Sequence, residues 1–121
     1  NTEAKGSGVG AGDMNTMLII ANQGSNSNNY AAGICANLML LVNGVNYGDW
    51  YLPSLKEWQM MYSQRAVINA TAIANGGTGF LDYYWTSTEV NSSTAYRQSM
   101  SGANNSPTKN TLHAVRAIRR F

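Results

Sequence analysis

The pattern of apolar residues changes at Asn75-Gly76-Gly77, and that change limits the chain to a mixed architecture. Before it, apolar residues recur at helical intervals. After it come three short β-prone runs, 83–88, 94–100 and 112–121, separated by Asn, Ser and Gly and read as an antiparallel meander. Helices early and strands late indicate an α+β domain, not a parallel α/β one. The clearest local signal is Gly48-Asp49-Trp50-Tyr51-Leu52-Pro53-Ser54-Leu55-Lys56-Glu57-Trp58. Pro53 keeps Leu52 extended, Ser54 is a good N-cap, and Glu57 stands three residues on to complete a capping box. A helix is therefore expected over 55–64, burying Trp58, Met61 and Tyr62, with a second over 66–74 that ends at the glycines.

Upstream the signals are weaker. Leu18, Ile19 and Ile20 suit a short buried strand over 14–21, followed by a polar loop over 22–29. Ile34, Cys35, Leu38, Leu41 and Val42 fall at helical spacing, so a helix is expected over 30–42, ended by Asn43-Gly44. Gly6, Gly8, Gly10 and Gly12 alternate with other residues and resist regular packing. Residues 1–13 are thus expected to be a linker from an upstream segment, and 14–121 a head domain of one modest core.

Charge is the main pointer to function. Residues 1–89 hold all six carboxylates against Lys5, Lys56 and Arg65, a balance of −3. Residues 90–121 hold five cations and no acid, a balance of +5, so the net +2 hides a strong asymmetry. A basic face of that kind points to an anionic partner. Only 12% of the residues are charged and the pI is mild, which does not indicate a general nucleic-acid binder. The single cysteine, Cys35, allows no intrachain disulfide and no thiolate metal cluster, and reads as a small buried residue. The apolar run 38–42 is far too short to cross a bilayer, so no membrane insertion is expected.

Three blocks in order resemble the family of the C-terminal domain of the Legionella collagen-like protein: Asp49-Trp50-Tyr51-Leu52-Pro53-Ser54 with Glu57, then Tyr84-Trp85-Thr86-Ser87-Thr88-Glu89, then Val115-Arg116-Ala117-Ile118-Arg119. The likeness spans roughly 30–121; Thr86 replaces the usual serine, and Trp58 stands where an aliphatic residue is common. The resemblance implies a C-type-lectin-like, formylglycine-generating-enzyme-like domain with two main helices and an antiparallel sheet. It also implies a homotrimer, since a collagen-like stalk needs three chains, and an extracellular place on a bacterial surface. Sulfated glycosaminoglycans, surface attachment and biofilm formation are the functions it brings with it.

The candidate glycosaminoglycan-binding residues are Arg97, Lys109, His113, Arg116, Arg119 and Arg120. Guanidinium groups offer planar, bidentate donors to sulfate and do not lose their charge. On a strand, Arg116 and Arg120 would share a face about 14 Å apart, at roughly 3.4 Å per residue, with Arg119 on the other. The plainer expectation for Arg116 is an ion pair with Asp49 or Glu57; for His113, a structural role, with added charge below about pH 6.5 as the alternative. Trp50, Trp58, Trp85, Tyr83 and Tyr84 read as core, whereas Tyr51 or Tyr96, if exposed, would stack on a sugar ring.

Enzyme readings are weak. Formylglycine-generating chemistry needs more cysteine than Cys35 alone, and no nucleophile motif frames Ser87 with His113 and Asp82. Asp82 and Glu89 are too few for calcium-dependent sugar binding, so no metal and no cofactor are expected. Two functions lead: a trimeric adhesin head for sulfated polysaccharide, or a structural trimerisation cap with no polysaccharide ligand. A protein-binding module using loops 22–29 and 91–94 is a third.

Overall fold

The computed structural model describes residues 2–24 and 27–120. Asn1 of the expected linker, Ser25 and Asn26 of the expected polar loop, and Phe121 at the end of the expected last strand lie outside the described residues. The described chain is a small mixed α+β domain, as the patterning requires. Its helices are α1 (Ala11–Gln23), α2 (Ala31–Ala36), α3 (Leu55–Ser63) and α4 (Arg65–Ala74), with a short 3-10 turn at Ser27–Asn29. Its strands are β1 (Leu40–Val42), β2 (Val45–Tyr47), β3 (Tyr83–Glu89), β4 (Ala95–Ser99) and β5 (Asn104–Asn105). β1 and β2 form a two-stranded antiparallel hairpin, and β3-β4-β5 a three-stranded antiparallel sheet.

The capping box forms as expected and starts α3. Ser54 Oγ accepts from the Glu57 backbone N–H, and Glu57 returns the bond to the Ser54 N–H at 2.9 Å. Trp58 is fully buried, stacked on Tyr84 at 4.6 Å between ring centroids and edge-on to Phe80 at 5.5 Å; its indole N–H donates to the Trp85 carbonyl. Met61 and Tyr62 are only half-buried. A second cluster joins Ala32, Cys35 and Leu52 with Ile19, Tyr30, Val115 and Ala117 packed around them.

The N-terminal half departs from expectation in three places. The expected strand 14–21 is the middle of helix α1. Asn15 and Thr16 explain the helical choice: both are buried on one side, Asn15 Nδ2 donating to the Gly6 carbonyl at 2.6 Å and Thr16 Oγ1 accepting from the Leu52 N–H at 3.0 Å. A strand would point these adjacent residues to opposite faces. The expected helix 30–42 stops at Ala36, and the chain turns back as a hairpin through Asn43 and Gly44, with φ of 50° and 80°. Those angles suit a type I′ turn, for which Asn-Gly between apolar runs is the usual sequence.

The third departure concerns residues 2–13, expected to be a linker free of packing. Thr2 and Ala4 are buried, the Glu89 N–H donates to the Ala4 carbonyl, and the Thr88 hydroxyl donates to the Gly6 carbonyl. Glu57 extends its capping role here, accepting from the Gly10 and Gly12 N–H groups at 3.2 and 3.1 Å. Gly12 sits so close that an added Cβ would lie 2.3 Å from Glu57 Oε1 and 2.7 Å from the Leu52 carbonyl oxygen. The segment is irregular because it bonds across the fold instead of along itself.

The C-terminal run also differs from the meander. Residues 112–120 are extended but touch two separate partners: Ala114 bridges Tyr84 in parallel, and Ile118 exchanges N–H···O bonds with Tyr51 at 2.8 and 2.9 Å. The third strand of the sheet is β5 instead.

Gly12→Ala is expected to lower stability by about 1–3 kcal/mol through overpacking against Glu57. Urea denaturation followed by far-UV circular dichroism measures this. An unchanged midpoint contradicts the tight seat of residues 10–12.

Candidate functional site

The lopsided charge of the sequence is largely evened out in space. Lys109 pairs with Glu89, Arg119 Nε with Asp49 at 2.7 Å, and Arg120 reaches Asp13 loosely at 4.0 Å. Each of these three pairs joins a late cation to an early acid, whereas Lys5 pairs locally with Glu3. Arg116 does not take the expected carboxylate: its guanidinium lies 4.9 Å over the Phe80 ring and donates to the Thr78 carbonyl. Asp49 goes to Arg119, which also covers Tyr47 at 4.8 Å. Because 112–120 is not one regular strand, the arginines do not form a single row. Arg116, Arg119 and Arg120 meet three different neighbourhoods.

Arg97 and His113 are brought together. The register of the sheet sets Arg97 on β4 opposite Trp85 on β3 and Asn105 on β5. Side chains alternate along β3, so Tyr83 and Trp85 share the face opposite buried Tyr84. The Arg97 guanidinium lies over the Tyr83 ring, 4.0 Å from its centroid, its Nε donating to Asn105 Oδ1 at 2.6 Å. Its Nη1 lies 3.2 Å from His113 Nε2. An arginine cannot accept, so Nε2 accepts and the imidazole is neutral. His113 packs edge-on to Trp85 at 4.8 Å, tilted against Tyr83 at 5.9 Å. Burial first, and then the Arg97 charge, hold its pKa below the usual histidine value. The expected gain of charge below about pH 6.5 is thus displaced to more acid conditions. No acidic partner of Arg97 or Arg116 is found among the described residues.

A cleft of about 430 Å³ adjoins this cluster, lined by Tyr30, Trp85, Glu89, Lys109 and His113 among others. Glu89 forms its anchored end. Its buried carboxylate accepts from the Thr2 N–H at 2.9 Å, the Glu3 N–H at 3.1 Å and the Thr2 hydroxyl, besides Lys109. Burial pushes the Glu89 pKa up, but the Lys109 and Thr2 bonds outweigh it and hold the group below the usual carboxylate range. A second, apolar groove of about 560 Å³ lies between the β1–β2 hairpin and 117–119, lined by Leu40, Val42, Tyr47, Trp50, Ile118 and Arg119.

The sequence reading missed Tyr83, Trp85 and Asn105 as partners of the cationic site. Tyr83 and Trp85 were expected in the core, and only the alternation about Tyr84 would have separated them. Asn105 carries no signal of its own, since its role depends on β5 pairing with β4. Cys35 is buried as expected, its thiol pushed up to about 12 by burial. Ser87 is buried too, its Oγ accepting from Asn15 Nδ2 at 3.3 Å. No helix among the described residues is long and apolar enough to cross a membrane, and no cluster of three His, Cys, Asp or Glu residues is placed to hold a metal. Comparison with family models, curated proteins and solved structures gave no match.

The depressed Glu89 pKa means that its ionised form adds stability above the unfolded carboxylate pKa of about 4.3, and that this is lost as pH falls through the lower folded value. Glu89→Gln is expected to cost about 1.5–3 kcal/mol at neutral pH by removing charged hydrogen bonds to the carboxylate. It should also flatten the acid limb of the stability–pH curve. A variant with the same acid limb as the parent contradicts this.

Proposed function

We propose that the domain is the head of a trimeric bacterial surface adhesin of the collagen-like type, binding sulfated glycosaminoglycan in attachment and biofilm formation. The observation that carries the reading is Arg97. Its guanidinium is held in place by Tyr83, Asn105 and His113, yet its charge has no acidic partner among the described residues. A planar donor fixed in advance and left uncompensated suits a sulfate ester, because little side-chain freedom remains to be lost on binding. Tyr83 and Trp85 beside it supply ring surface for the sugar.

Arg116 and half-exposed Arg120 extend the basic surface, whereas Lys109 and Arg119 spend much of their charge within the fold. The hydrogen-bonding donors that remain are spread out, so tight attachment to a repeating polyanion needs several copies acting together. The hairpin supports that assembly: Leu41 is 69% exposed, and Leu40, Val42 and Val45 are 43–50% exposed. Apolar side chains gathered in this way favour cover by a neighbouring subunit. The same surface is what the alternative of a trimerisation cap without a polysaccharide ligand would use, and Arg97 distinguishes the two.

The protein is expected to bind immobilised heparin at low salt and to elute as NaCl rises, since exposed charges are screened beyond about 8 Å at physiological ionic strength. Arg97→Ala should weaken binding about tenfold, the worth of one charged hydrogen bond, and Arg119→Ala much less. Light scattering of each variant gives its mass. Retention that persists at molar salt, or equal effects of the two variants, overturns the reading. Absence of retention in a verified trimer favours the cap.

A further inference from the structure

We propose that Arg97 and His113 form a proton-gated anion clamp, closed on itself when the imidazole is neutral and opened to an anionic oxygen when it takes up a proton. The inference rests on the anionic-ligand reading above and concerns the regulation of that same site. With His113 neutral, Nε2 accepts from Arg97 Nη1 across 3.2 Å and the two groups satisfy each other. Protonation turns Nε2 from acceptor into donor. Two N–H groups and two positive charges then face each other, and a sulfate or phosphate oxygen seated between them accepts from both. Nη2 of Arg97, with no hydrogen-bond partner among the described residues, adds a third donor.

The surroundings fix the direction of the effect. Arg97 faces His113 from β4, and Tyr83 and Trp85 from β3 present only their rings. Lys109 and Glu89 line the adjoining cleft but neutralise each other, and Tyr30 lines it from the start of α2. Without a ligand, the imidazole is therefore held neutral by burial and by the guanidinium. A bound anion offsets both penalties and raises the pH at which the ring protonates. By linkage, a rise of about one pH unit on binding means that the protonated site binds about tenfold more tightly than the neutral one. Affinity then climbs as pH falls from above the bound midpoint to below the free one.

The chain has a single histidine, so its ring resonances need no assignment. The test follows them by heteronuclear NMR during pH titrations of the intact protein in sodium chloride, in sodium sulfate of equal ionic strength, and with saturating heparin-derived hexasaccharide. The expected result is a midpoint raised by about one unit in sulfate and in hexasaccharide relative to chloride. His113→Gln, which offers an amide oxygen in place of Nε2 but cannot titrate, should abolish the pH dependence of hexasaccharide affinity. A midpoint equal in all three solutions overturns the clamp. Should the hexasaccharide bind through Arg97 while the midpoint stays fixed, the clamp falls and the adhesin reading stands. Should sulfate raise the midpoint while the hexasaccharide fails to bind, the clamp stands and the polysaccharide reading falls.

Discussion

Glu57 holds the fold together from one carboxylate. It closes the capping box of α3, and it gathers the Gly10 and Gly12 N–H groups that begin α1. Glu57 forms no ion pair among the described residues; the backbone N–H groups of Gly10, Gly12 and Ser54 satisfy it. Hydrogen bonds to an ionised group are worth about 1.5–3 kcal/mol each, and leaving such a group unsatisfied costs more. The location of the N-terminal segment thus follows from a demand set by the helix cap. Glu89 repeats the device at the end of β3, where Thr2, Glu3 and Lys109 answer it.

Strand β3 keeps β4 along one edge, Glu89 still standing opposite Ala95, and changes partners along the other. Its first half pairs with β4 through Tyr83, Tyr84 and Trp85, then the register shifts before Glu89. On the edge away from β4, the Trp85 N–H donates to Ala114, the Ser87 N–H to the Pro53 carbonyl and the Glu89 N–H to Ala4. The first half of the strand therefore builds the face that carries Arg97, and the second half binds the N-terminal segment to α3. One strand connects the candidate site to the framework that supports it.

Much of this was legible where the deciding contacts are local. The Ser54–Glu57 box specifies α3, the glycines after α4 end it, and the aromatic run at 83–88 is a strand. Where the deciding contact is distant, local pattern pointed elsewhere. Leu18-Ile19-Ile20 fits a strand or a helix, and burial of Asn15 against Gly6 and Ser87 decides for helix. Asn43-Gly44 suits a helix end or a hairpin equally by conformation, and the helical spacing of 34–42 favoured the wrong one. At the site, the cations were evident from composition. Their compensation was not, since Lys109 with Glu89 and Arg119 with Asp49 join residues 20 and 70 positions apart. That Arg97 keeps its charge uncompensated depends on a sheet register no local window contains.

Cys35 bears on how the domain can be watched. Its thiol, carried on α2, is buried in the cluster with Leu52 and Ile19 of α1, and burial keeps it protonated. A thiol-seeking reagent thus meets nothing reactive while the domain stays closed, and each modified molecule records an excursion in which α2 has come away from the core.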